Sequence, residues 1–147
     1  MKNKFDEHQF RVRGNIFLRI VIYYVVLLLA NAWLADNGIV WAGGFYTNIL
    51  ILMLPIAIGS VEMILRGVYF PLQNRGIWII AILGLASLAG LILTVIDMIK
   101  GEALVTGGAL TDTGCQLAVT LCVLLIALCG IIKWLAMRRR VKNTAEK

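Results

Sequence analysis

The chain has 147 residues, 61% of them hydrophobic and only 15% charged, with a mean hydropathy of +0.88. Soluble domains carry about a quarter charged residues, and a core within reach of this length cannot hide so much apolar surface, so a soluble globular fold is excluded. The net charge of +6 does not point to nucleic acid, because the basic residues follow the expected loops of a membrane protein instead of forming one basic stripe.

The chain opens on a polar segment, residues 1–15, that includes "FDEHQFRVRGN". Asn3 is a suitable helix cap, Asp6 suits a first turn, and Glu7 and Arg11 stand at the favourable i, i+4 spacing. Phe5, Val12 and Ile16 fall on one face, so the segment is expected to be a short cytoplasmic interfacial helix running into the first span. Arg11 and Arg13 are explained by orientation alone, whereas Asp6, Glu7 and Gln9 are not, which makes those three the candidate partner contact.

Four apolar stretches follow, at 16–34, 47–65, 77–96 and 115–135, each near the roughly 20 residues that cross about 30 Å of hydrocarbon. The expected fold is therefore all-α: one polytopic domain of four transmembrane helices in two hairpins. Ala30-Asn31-Ala32 has the small-residue pattern of a signal-peptidase site, but the length of the run, Arg19 within it, and Asp6 and Glu7 before it favour an uncut first span. The first connecting loop brings Trp33, Trp41, Phe45 and Tyr46 to a membrane interface, where amphipathic rings are favoured. The second span contains Pro55, which removes a backbone donor and is expected to kink it.

In the third span, Gly84, Ala86, Ser87 and Gly90 offer a low-relief packing face, with Ala86 and Gly90 at small-xxx-small spacing. The loop of residues 97–114 is rich in glycine and threonine and reads as flexible. Thr113 and Gln116 have the spacing of a capping box that would start the fourth span. Cys115, Cys122 and Cys129 recur every seven residues along that span and drift only about 20° per step. They stand about 10.5 Å apart along the axis, too far for mutual ligation or bridging, so helix packing is the expected role. Cys115, at the outer end, is the one cysteine placed for an intermolecular bridge. Residues 136–147 form a basic tail that attracts anionic headgroups, with Trp134 as an anchor.

Thirteen of the fourteen basic residues fall on one side of this arrangement and Lys100 alone on the other. The positive-inside rule then places both termini in the cytoplasm, with the loops at 35–46 and 97–114 outside.

Arg19 and Glu62 share a level near the cytoplasmic ends of spans one and two, with Arg66 one turn beyond Glu62. They form a candidate intramembrane ion pair, against the alternative that each is solvated at its helix end. The middle third of every span lacks acidic and basic residues, which weighs against a proton-coupled pump. No metal, Walker, GxSxG or CxxC motif is present, so no catalytic residue, metal ligand or cofactor is expected. The outer carboxylates Asp36, Asp97, Glu102 and Asp112 match no acid/base or metal spacing.

"FDEHQFRVRGNIF", "NAWLADNGIVWA" and "ILRGVYF" together resemble the sequences of a group of small, uncharacterised integral membrane proteins from Firmicutes. The resemblance falls on Asp6, Glu7, Gln9, Arg13, Gly14, Asn31, Ala32, Gly38, Ile39, Val40, Trp41 and Ala42, with a weaker echo at Gly67, Tyr69 and Phe70. His8 stands where the group has arginine, and Gly43 where it often has Asp-Pro. The resemblance implies a bacterial plasma membrane and no particular activity.

The expected function is that of a non-enzymatic membrane protein acting through helix and lipid contacts, as an accessory or regulatory subunit or a membrane-stress component. Its partners would be membrane lipids and another membrane protein or a second copy, and not nucleic acid. The alternative is a small oligomeric transporter or channel, in which Glu62 would have to serve as the working carboxylate. A membrane enzyme ranks third.

Overall fold

A computed structural model describes residues 7–68 and 76–145. The chain forms α1 (Glu7–Asp36), α2 (Gly44–Leu65) and α3 (Gly76–Ile99), then a two-stranded antiparallel ribbon of β1 (Val105–Thr106) and β2 (Ala109–Leu110), then α4 (Asp112–Ala145). The four helices are each long and apolar enough to cross a membrane. The physical reason is that lipid offers backbone amides no partner, so an apolar run satisfies them internally as a helix. Each expected span lies inside one of these helices.

Two helices overrun their expected spans. α1 is continuous from Glu7, so the described part of the polar opening forms the first turns of the same helix; Asn3, Phe5 and Asp6 lie outside the described residues. α4 continues through the basic tail to Ala145. Met, Arg, Lys and Ala are good helix formers and neither Gly nor Pro interrupts them. At 34 residues, α4 is about 51 Å long, well beyond the hydrocarbon thickness.

The main helix contacts are α1 with α2, α2 with α4, and α4 with α3. Ile16 and Ile20 of α1 meet Met63 and Val68 at the end of α2 in one core cluster. Ala57 and Ile64 of α2 and Ile126 of α4 form the second, joined by Val61, Leu83, Cys122 and Cys129. Pro55 is buried within an unbroken α2, and its missing N–H leaves the Ile51 carbonyl without its usual helical donor.

Glycine sets how closely the helices approach. A β-carbon on Gly59 would run into Ile20, one on Gly90 would come within 2.7 Å of Thr120 Oγ1, and one on Gly130 within 2.9 Å of Ile80. The α3 face turned to α4 is therefore Ile80, Ser87, Gly90 and Thr94, of which Ile80, Ser87 and Thr94 are buried. This corrects the expected packing face. Ser87 and Gly90 belong to it, but Ala86 is exposed and a β-carbon on Gly84 would meet nothing within 4 Å. The small residues at 84–90 occupy more than one side of the helix, and of them Ser87 and Gly90 lie on the side that Ile80 and Thr94 also share.

The loop between α3 and α4 is a built structure, contrary to the flexible loop expected. Gly107 and Gly108 have φ of 60° and 85° and join strands registered Val105 to Leu110 and Thr106 to Ala109. Successive positive φ values are what a tight two-residue hairpin turn needs, and glycine adopts them without strain.

Candidate functional site

At the end of α2, side chains from three helices converge. Arg66 follows the last turn, and Gly67, with φ of 71°, reverses the chain so that its N–H reaches the Ile64 carbonyl and that of Val68 reaches Met63. This closure folds Val68 back onto Met63 and Ile16, the apolar contact typical of such helix ends. It also holds Arg66 beside Glu62.

Glu62 Oε1 accepts from Arg19 of α1 at 3.0 Å and from Arg66 at 2.8 Å. The structure thus brings together Arg19, Glu62 and Arg66, both arginines sharing one oxygen. The Arg19 and Arg66 side chains remain 41% and 51% exposed and the Glu62 side chain 25%. Arg19 Nε also donates to the Asn15 carbonyl at 3.4 Å.

Lys133 of α4 completes the cluster by donating to the Leu65 carbonyl at 2.9 Å. A cation at this place satisfies an orphan carbonyl and opposes the negative end of the helix dipole. The sequence alone counts Lys133 only among basic residues. The available signal is its position just inside the end of an apolar span, where an unpaired lysine is costly. Beyond it, the Arg138 guanidinium stacks 5.2 Å from the Trp134 ring.

The opposite end is closed by a clasp between the first and third loops. Leu110 N–H donates to the Trp41 carbonyl at 2.9 Å, and Gly43 N–H donates to the Leu110 carbonyl at 3.2 Å. Trp41 Nε1–H in turn donates to Asn31 Oδ1 at 2.8 Å, anchoring the loop to α1. Trp41→Phe keeps the ring and deletes that donor. Its expected cost is about 0.5–1.5 kcal/mol, to be read as a lowered melting temperature in detergent, with Asn31→Ala giving a loss of similar size.

The start of α4 differs from the expected capping box. The cap is Thr111, two positions before Thr113, and its Oγ1 accepts from Gly114 N–H at 3.2 Å. The same hydroxyl donates to the Ala103 carbonyl at 2.6 Å. Thr113 lies within the helix, and its hydroxyl donates to Glu102. Sequence spacing favoured Thr113 because Gln116 stands three residues on; the hairpin decides otherwise by presenting Leu104 and Ala103 to Thr111.

The three cysteines are free thiols on the packed side of α4. Cys122 and Cys129 lie half-buried against the α2–α4 core. Cys115 is fully buried. The one cysteine that the sequence places for an intermolecular bridge is thus enclosed, and no second thiol can approach a buried sulfur with the required geometry.

The remaining sequence-selected groups stay apart. Asp97 pairs with Lys100 at 3.4 Å, Glu102 binds Thr113, and Asp36 and Asp112 are exposed at the ends of α1 and α4. Among the described residues, no three His, Cys, Asp or Glu side chains gather as a metal site would need. Of the partner-contact trio, Glu7 is exposed and Gln9 half-buried on α1, while Asp6 lies outside the described residues. The geometry supports contact and anchoring chemistry at the two ends of the bundle. Comparison with family models, with curated protein sequences and with solved structures finds no match for this chain.

Proposed function

We propose that this chain is a non-enzymatic integral membrane protein that works through helix and lipid contacts, as an accessory or regulatory subunit. On this reading it lies in a bacterial plasma membrane, with both termini cytoplasmic as the distribution of basic residues favours. The observation that carries the reading is the uneven burial of its helices: only 6% of the apolar window of α1 is buried, against 44% of that of α2. α2 is the most buried of the four apolar windows, and α1, which packs on α2 along one side, leaves its other side open. Helix association in lipid relies on such surfaces meeting closely.

Photo-crosslinkers at Phe17, Val21 and Val25, all exposed on α1, provide the test. In native membranes they are expected to capture a defined membrane protein or a second copy, identified by mass, while a probe at buried Ala57 captures neither. Lipid adducts alone at all three positions would remove the reading. The transporter alternative is weaker, since its required carboxylate, Glu62, is held by Arg19 and Arg66 at a helix end.

A further inference from the structure

We propose that the end of α2 is a recognition site for the phosphate group of an anionic membrane lipid, formed by Arg19, Arg66 and Lys133. The inference rests on the membrane-spanning reading above, which sets this end of α2 at headgroup level.

Charge counting comes first. Three cations contributed by α1, the α2 cap and α4 meet one carboxylate, Glu62. The C-terminal dipole of α2 adds roughly half a negative charge, so the cluster keeps a surplus of more than one positive charge. Such a surplus, half-buried at the edge of an apolar bundle, calls for an anion.

Geometry gives the anion's chemistry. Arg19 and Arg66 converge on a single oxygen of Glu62, so the two planar donor forks stand side by side. Each guanidinium has five N–H donors, more than Glu62 and Asn15 can accept from, on side chains that are 41% and 51% exposed. Paired guanidinium forks match the tetrahedral oxygens of phosphate. Lys133 adds a point charge fixed at 2.9 Å from the Leu65 carbonyl, which holds it in place without neutralising it.

The basic tail offers charge of the same sign, but its described residues, up to Ala145, follow one another along a single helix. The α2 end instead draws on three helices whose mutual positions are set by Ile16, Met63, Val68 and Ile126. A lipid held there would bridge α1 to α2 and α2 to α4.

The test uses the full chain in zwitterionic nanodiscs titrated with phosphatidylglycerol, with bound lipid counted by native mass spectrometry. The parent is expected to retain phosphatidylglycerol over phosphatidylcholine. Each charge removed should weaken retention about fivefold: Arg66→Gln by that factor, and Arg66→Gln with Lys133→Gln by about 25-fold. Arg66 lies beyond the last turn of α2, so its variant keeps the helix although it loses the pair with Glu62, and an unchanged helical circular dichroism spectrum checks this. Arg139→Gln with Arg140→Gln should lower retention less than the Arg66→Gln, Lys133→Gln pair does, since the tail attracts anionic headgroups without holding one. Equal retention of both lipids by the parent, or equal losses from tail and site variants, would overturn the site while leaving the spanning reading intact. Protection by inorganic phosphate as strong as by the lipid would assign the cluster to a free anion and overturn its lipid assignment. A chain that fails to enter the disc would overturn the spanning reading and the site together.

Discussion

Gly114→Ala is expected to destabilise the protein by about 1–3 kcal/mol, against a helix propensity that alone would favour alanine by about 1 kcal/mol. The sign is decided by what the new methyl meets. At Gly114 it runs into the Leu104 carbonyl oxygen, with Leu110 close behind, and neither a backbone carbonyl nor its hairpin can rotate away as a side-chain tip can. Either the first turn of α4 unwinds, losing the Thr111 cap, or the hairpin lifts and strains the bonds from Leu110 to the first loop. Gly84→Ala is the control: the same substitution in α3 meets nothing within 4 Å and should stabilise by up to about 1 kcal/mol. Chemical or thermal unfolding in one detergent reads both. If the two variants shift stability in the same direction, the close approach at Gly114 is not present in solution.

Glu62→Gln is expected to cost about 1–2 kcal/mol, because it removes two ion pairs, each worth up to about 1 kcal/mol when partly exposed. Glu62→Lys should cost more, since it sets a fourth cation among Arg19, Arg66 and Lys133. Full-burial values do not apply here, as the Arg19 and Arg66 side chains are 41% and 51% exposed. Screening supplies a second signature. The gap in melting temperature between parent and Glu62→Gln should narrow as ionic strength rises from about 0.05 to 1 M, where the Debye length falls to about 3 Å. Arg19→Gln should lose only part of the effect, and a double-mutant cycle with Glu62→Gln should show coupling. Additive effects would mean that Arg19 reaches past Glu62 to solvent.

The helices are legible in the sequence because hydropathy over about twenty residues reports a property that acts locally. Arg19 and Glu62 could be set at one level for the same reason: depth along a span is a count of residues. Rotation about the helix axis is another matter. Gly84, Ala86, Ser87 and Gly90 look alike as small residues, and only the position of α4 selects Ser87 and Gly90. Cys115 looks accessible near a helix end, yet in the folded chain it is fully buried. Gly107-Gly108 carried a hairpin signal, but the short strands around it have no alternating pattern to announce a sheet. Lys133 meets Leu65 across 68 residues of sequence, a separation that no spacing rule spans.

The bonds at the two ends of the bundle have a consequence in parity. Two residues that touch outside the hydrocarbon lie on the same side of it, so the chain between them crosses an even number of times. Trp41 and Leu110 touch with α2 and α3 between them, so those two helices cross together or not at all. Leu65 and Lys133 impose the same rule on α3 and α4, and Arg19 and Glu62 impose it on α1 and α2. On the membrane-spanning reading, with all three contacts outside the hydrocarbon, a chain in which a single helix failed to cross could not make all three of them.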